Sequence, residues 1–244
     1  MLLAIDVGNT RIKAAVFEEY SLNKLYFLEK DSFQKGLKNI FKMHENISDL
    51  WVSAVSDIQK KGFTELPQGV KVHFISHLDT YPFQNLYATP TTLGLDRMVL
   101  ASGAVLKYTN TNRLIIDAGT CITYDVVNAA GDYLGGAISP GLRLRYQSLN
   151  QFTSKLPLLT LEMPEKYIGN TTNQSIHSGV VNGVLNEIDG YISRFMEDYE
   201  NFTIILTGGD ADFLAKRLKS TIFANSNFLL ESLNHLFQFN NKND

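Results

Sequence analysis

The chain has 244 residues, 44% of them hydrophobic, a formal net charge of −3 and one cysteine, Cys121. That is enough apolar material for one large cored domain or two small ones, and the charge leaves no basic footprint for nucleic acid. A single cysteine excludes an intrachain disulfide and offers no ligand spacing for zinc, and the apolar runs are too short to span a bilayer. Met1 to Ile5 is apolar, but Asp6 interrupts it with no basic stretch before it, so a signal peptide is not expected. A reducing, cytoplasmic setting is the expectation.

Leu2 to Tyr20 reads as a β-hairpin, and Lys24 to Glu29 as a third strand of the same sheet. Asp31 to Glu45 has Phe33, Leu37, Ile40 and Phe41 at helical spacing. Leu50 to Val55 and Val70 to Ile75 are short strands. The order β-β-β-α-β-α-β is that of a ribonuclease-H-like half. A polar, proline-bearing loop runs from Ser76 to Thr92, and Gly94 to Tyr108 reads as a helix. Arg113 opens the second half, with strands Leu114 to Ile116, Ile122 to Val127 and Gly135 to Ile138. Helices are predicted over Leu142 to Thr153, Asn173 to Tyr199 and Asp210 to Leu218, with a buried strand over Thr203 to Leu206. The tail from Gln238 to Asp244 is polar and expected to fray. The expected division is 1–110 and 111–244.

One pattern occurs in both halves. Leu2-Leu3-Ala4-Ile5-Asp6-Val7-Gly8-Asn9-Thr10 and Leu114-Ile115-Ile116-Asp117-Ala118-Gly119-Thr120 each run from apolar strand to carboxylate to small-residue turn, and a second apolar run follows each. Such turns leave backbone N–H groups facing outward for an anion, and the carboxylate can hold a cation beside it. Either copy alone could be an ordinary hairpin turn; recurrence in the same order argues otherwise. In the first copy Gly8 permits close approach to phosphate, Asn9, Thr10 and Lys13 add donors, and Asp6 can hold Mg²⁺ through water. Thr207-Gly208-Gly209-Asp210 forms a third glycine turn between strand and helix, a candidate for the adenosine side.

Three such turns in this order match the actin, sugar-kinase and chaperone ATPase superfamily, and the finer motifs resemble one family, the type III pantothenate kinases, over nearly the whole chain. Asp6-x-Gly8-Asn9-Thr10-x-x-Lys13, Tyr87-x-x-Pro90-x-x-Leu93-Gly94-x-Asp96-Arg97, Asp117-Ala118-Gly119-Thr120 and Gly135-Gly136-x-Ile138-x-Pro140-Gly141 carry the resemblance. It implies an α/β fold of two ribonuclease-H-like domains flanking a nucleotide cleft. It implies phosphoryl transfer from ATP to pantothenate, the first step of coenzyme A synthesis. ATP contacts are implied for Asp6, Val7, Gly8, Asn9, Thr10, Arg11, Ile12, Lys13 and Thr120. Asp96 is implied as catalytic base, and Tyr87, Gly94, Leu95, Asp96, Arg97 and Thr172 as pantothenate contacts, with Arg97 on the carboxylate. Asp117 resembles the family's ligand for K⁺ or NH₄⁺. Thr171 stands where Asn or Ser is more usual, so the threonine that faces the substrate stays open. A helix-start position for Asp96 favours its ionised form independently of the resemblance.

The remaining residues have plainer readings. His44, His73, His77, His177 and His235 lack ligand spacing and are expected at the surface or in packing. Trp51 is expected in the core, and Cys121 as a small buried packing residue. Arg143 and Arg145 suit a solvated helix face at least as well as a phosphate. A homodimer is implied, with the acceptor site completed across the interface. The stripe Ile176, Val180, Val184, Ile188 and Ile192 is spaced to pack against another element, which suggests Thr172 of one chain facing Asp96 of the other. Two rivals stay open. A kinase of another small hydroxylated acceptor leaves Tyr87 to Arg97 unexplained, and a non-catalytic nucleotide-binding regulator predicts a broken catalytic position, whereas Asp6, Asp96, Arg97 and Asp117 are all intact.

Overall fold

The apolar run that opens the chain is covered on both of its faces. In the computed structural model, which describes residues 1–8, 11–54, 63, 65–220 and 222–243, Leu2–Val7 is strand β1, Ile12–Glu18 is β2 and Ser21–Leu28 is β3. Helix α1 (Phe33–Met43), β4 (Asp49–Ala54), β5 (Lys71–Phe74), the two-residue β6 (Gln84–Asn85) and α2 (Leu95–Lys107) follow. Then come β7 (Asn112–Ala118), β8 (Cys121–Val127), β9 (Asp132–Pro140) and α3 (Leu142–Gln151). The segment predicted as one helix over 173–199 is α4 (Thr172–His177), a π-helical turn (Ser178–Asn182) and α5 (Gly183–Asp198). The chain closes with β10 (Phe202–Thr207), α6 (Ala211–Ala215), β11 (Phe223–Ala224) and α7 (Phe228–Asn243).

These elements divide into two compact units. Met1–Thr109, Gly131–Tyr133 and Asn227–Asp244 make the first, and Asn110–Ala130 with Leu134–Ser226 the second. The expected division put everything after 110 in one piece, whereas α7 groups with the first unit. The cause is packing. Leu230, Leu233, Leu236 and Phe237 of α7 bury against Leu2, Ala4, Ala15 and Phe17. The tail expected to fray is therefore helical to Asn243, anchored by that apolar face. The strand expected over Leu50 to Val55 is described over Asp49–Ala54; Val55, and most of the stretch where the β-β-β-α-β-α-β order needs a second helix, lie outside the described residues.

The first unit's sheet has the order β3-β2-β1-β4-β5. β1 pairs antiparallel with β2 and parallel with β4. Leu3, Ile5 and Val7 face α1 through Leu37, Ile40 and Phe41, and Leu2 and Ala4 face Val99 of α2 and the α7 leucines. Two covered faces explain why β1 reads as a continuous apolar run. β6 pairs in parallel with Asp132 and Tyr133, also in this unit. In the second unit the strands run β11-β10-β7-β8-β9. Its core joins Leu114, Ile116 and Tyr124 to the apolar face of α4 and α5. The stripe spaced to pack against another element does so within its own unit, with Val184, Ile188 and Ile192 fully buried. Among the described residues no helix is long and apolar enough to cross a membrane.

Candidate active site

Asp6 is the penultimate residue of β1 and lies opposite Lys13 on β2 and Ser53 on β4. The hairpin closes through Gly8 N–H, which donates to the Arg11 carbonyl at 3.1 Å. Asn9 and Thr10, expected at the tip, lie outside the described residues. Val7 and Ile12 are core residues, 1% and 4% exposed, so a nucleotide would meet their backbone and not their side chains. Arg11 is exposed. The Asp6 carboxyl is pushed up to about 7, first by burial and then by the negative charge of Asp96, against the pull of Lys13. Two acids therefore act on one another in the first unit, and a cation between them would relieve both desolvation and repulsion.

Asp96 stands in the first turn of α2. Its Oδ1 accepts from the N–H of Arg97 at 2.8 Å. Gly94, the N-cap, lies so close that a Cβ there would sit 2.4 Å from Asp96 Oδ1. Glycine is needed for this approach, since the Gly94 backbone (φ −58, ψ 135) suits any residue. Arg97 is 5% exposed, and its guanidinium carbon lies 5.9 Å from the Tyr87 ring centroid. Tyr87 rests edge-on against the buried Tyr133, centroids 6.2 Å apart, and its N–H donates to Asn85 of β6. Leu95 packs on the α7 side of the sheet. The structure thus gathers Tyr87, Gly94, Asp96, Arg97 and Asp6 in one unit.

In the second unit three motifs meet at one end of the sheet. Asp117 is the penultimate residue of β7, opposite Thr123 and Thr207. Gly119 N–H donates to the Cys121 carbonyl at 2.9 Å, and Gly141 N–H to the Thr120 carbonyl at 3.0 Å. Gly208 takes φ +96, and a Cβ on it would lie 2.3 Å from the Ala118 carbonyl and 2.4 Å from Asp117 Oδ1. Asp210 N–H donates to that same Ala118 carbonyl at 2.9 Å. Thr120 is exposed. Cys121, expected to be buried packing, is exposed as well: it is the first residue of β8, and its neighbour Ile122 takes the inward side. Among the described residues no group of three or more His, Cys, Asp and Glu gathers into a metal cage. A Mg²⁺ held by one carboxylate, water and phosphates needs none, and a carboxylate amid turn carbonyls suits a weakly hydrated monovalent cation.

The two threonines differ in what they do. Thr171 is the N-cap of α4, its side chain accepting from Gln174 N–H at 3.3 Å. Thr172 has no such capping bond. Both line a cavity of about 940 Å³ with Arg145, Ser148 and Ser175, in the second unit. Trp51 is core, as read. Sequence reasoning missed His77, whose Nε2–H donates to the Leu93 carbonyl at 2.7 Å and so holds the peptide before Gly94. Nothing in a lone histidine within a polar loop signals such a bond. It also missed Glu187, which pairs with Arg145.

The family model for type III pantothenate kinase matches residues 2–194. A type III pantothenate kinase of Flavobacterium johnsoniae is 57% identical over 244 residues, covering 100% of this chain and 100% of its own. Among solved structures, one described as a Baf family transcriptional activator from Campylobacter jejuni aligns with TM-score 0.64 and 20% identity, over 98% of this chain and 99% of that one. The activator of the 2-hydroxyisocaproyl-CoA dehydratase from Clostridium difficile, with bound ADPNP, aligns with TM-score 0.56 and 12% identity, over 99% and 95%. At such identities the two structures speak for the fold alone, a mixed α/β fold with two sheets.

Proposed function

The chain belongs to the type III pantothenate kinase family, and from that membership we infer its reaction: transfer of the terminal phosphoryl group of ATP to the primary hydroxyl of pantothenate, opening coenzyme A synthesis. The observation that carries the reading to this chain's residues is the Asp96 constellation. A carboxylate is fixed at a helix start by Gly94 and the Arg97 N–H, beside a buried guanidinium packed on Tyr87. Phosphoryl transfer asks for positioning and charge neutralisation more than for a strong base. Asp96 accepts the proton of the attacking hydroxyl. Arg97 pairs with the pantothenate carboxylate, for which a planar fork suits, and Tyr87 and Leu95 border the acceptor.

The Asp6 hairpin takes the phosphates through the backbone of residues 6–13 and the Lys13 ammonium, and Thr120 is a further ATP contact. Mg²⁺, when bound, supplies neutralisation of phosphate charge, with Asp6 holding it through water. Asp117 would hold K⁺ or NH₄⁺. The enzyme works as a homodimer, with Thr172 completing the partner's acceptor site; Thr171, spent on its cap, leaves that role to Thr172. The single cysteine supports a reducing, cytoplasmic setting. The net charge of −3 argues against a nucleic-acid partner. A coupled ADP-release assay across pantothenate and a panel of small hydroxylated acceptors tests the reading. Turnover with pantothenate is expected, lost by ~10²–10⁴ in Asp96→Asn. Preference for another acceptor would change the substrate, and ATP binding without turnover would make the protein a regulator.

A further inference from the structure

Arg145 and Glu187 belong to no motif of the reaction, yet they meet at its edge. Arg143 is exposed, as a solvated helix face requires. Arg145 instead spends three of its N–H groups on neighbours. Nε donates to the Pro140 carbonyl at 2.8 Å, and Nη2 donates to Ser139 Oγ at 2.8 Å and to Glu187 Oε2 at 2.5 Å. Glu187, on α5, accepts from Tyr124 OH of β8 at 2.8 Å through its other oxygen. Tyr124 is stacked on Tyr191, centroids 3.9 Å apart. Burial works to raise the Glu187 carboxyl, but hydrogen bonds from Arg145, Ser139 and Tyr124 outweigh it and hold the carboxyl below its ordinary value.

The peptide between Pro140 and Gly141 is gripped at both ends. Its carbonyl accepts from Arg145, and its N–H donates to the Thr120 carbonyl. The turn also approaches it too closely for a side chain: a Cβ on Gly141 would lie 2.1 Å from the Gly119 carbonyl oxygen and 2.6 Å from that of Thr120. Gly141 is the N-cap of α3 and has no side chain with which to cap the helix, so the plane of this peptide is set from outside. Rotating it would pull the Thr120 carbonyl with it.

We propose that Arg145 and Glu187 are positioning residues that set the Asp117–Thr120 turn for nucleotide, acting through the Pro140–Gly141 peptide. The ion pair is charge-neutral and serves geometry. Its charge-assisted bonds are the strong kind, and a half-buried carboxylate already bonded on both oxygens has no cheap alternative arrangement. The proposal rests on the assignment of Thr120 and Asp117 to the nucleotide side.

The test uses the full chain and calorimetric binding of MgATP, with thermal melting as the control for folding. Glu187 is not among the residues lining the Thr172 cavity, so Glu187→Gln is the leading variant. It is expected to weaken MgATP about tenfold, the order of one charge-assisted bond, while the KM for pantothenate stays within about twofold. Tyr124→Phe, which removes one neutral donor, is expected to cost about twofold. A folded Glu187→Gln protein with wild-type MgATP affinity overturns the proposal, as does an equal loss for ATP and pantothenate, which would mean general loosening. Should Glu187→Gln fail to fold, Arg145→Lys keeps the charge but loses the fork, and wild-type MgATP affinity there overturns it equally. A wild type that binds MgATP without phosphorylating pantothenate defeats the acceptor assignment, and the affinity comparison still decides the role of Glu187. A wild type that binds no MgATP overturns both.

Discussion

Replacing Gly94 with alanine displaces the proposed catalytic carboxylate without touching it chemically. The backbone at this position (φ −58, ψ 135) accepts alanine, so the new methyl meets only its surroundings. It would lie 2.4 Å from Asp96 Oδ1, where ordinary contact begins at 3.4 Å. The carboxylate must retreat by roughly 1 Å, and in doing so it gives up the bond from the Arg97 N–H. That bond is worth about 1 kcal/mol, and exchanging Gly for Ala at an N-cap adds up to about 1 kcal/mol. The stability loss should therefore be ~1–2 kcal/mol, a few degrees in Tm. Catalysis should suffer far more, because a misplacement of ~1 Å costs on the order of 10²-fold. The assay is coupled ADP release at saturating pantothenate and MgATP, alongside a melt. A Gly94→Ala enzyme whose kcat stays within about twofold of wild type refutes the reasoning, since either the contact does not place Asp96 or Asp96 is not the base.

Four other outcomes are expected. The Asp6 carboxyl is raised in the fold from 3.8 to about 7, so the folded state favours its protonated form. The Asp6 contribution to the stability of the ligand-free protein should be fully present below the lower value, decline as pH rises to the upper one and level off beyond it. Asp6→Asn should abolish this decline, and an unchanged pH slope in its melts would contradict the assignment. Gly208→Ala combines a positive φ with a backbone clash and should cost more than about 2 kcal/mol in denaturant unfolding; a near-neutral result would mean the turn is not held as described. Activity should depend on K⁺ or NH₄⁺ over Na⁺, and Asp117→Ala with an intact salt response would remove Asp117 from the cation site. Mixed Asp96→Asn and Thr172→Val chains should regain activity as heterodimers, and verified heterodimers that stay dead would exclude a shared acceptor site.

Local pattern made the strands and the first-turn position of Asp96 legible. β1, β7 and β10 are short apolar runs whose both-sided burial erases alternation, and their glycine turns mark where they end. What escaped was set by distant partners. α7 has apolar residues at helical spacing from Phe228 to Phe237, but its allegiance to the first unit comes from contacts with Leu2 and Phe17, which no window of sequence displays. The stripe from Ile176 to Ile192 was legible as a packing face and is one, but a face spaced for packing does not say whether its own sheet or a second chain will cover it. The exposure of Cys121 follows from its place at the start of a strand, where the inward side begins one residue later. His77 and Glu187 act through single bonds to a carbonyl and a guanidinium, and such pairings have no periodicity to read.

The packing of α7 on β1 also has a consequence for synthesis. Leu2 and Leu233 belong to one core, and Gly103 of α2 admits Ser232 so closely that a Cβ there would lie 1.9 Å from its hydroxyl. The ribosome releases Leu2 about 230 residues before Leu233. At about 5–20 residues per second the first sheet waits roughly 10–40 s for the helix that covers one of its faces. During that interval Leu2, Ala4 and Phe17 stay open to chaperone or protease. Ribosome-stalled chains ending before Phe228 should therefore be cut within the first sheet under pulse proteolysis, and chains with Phe237 clear of the exit tunnel should resist. Equal protection in both would show that the sheet closes without α7.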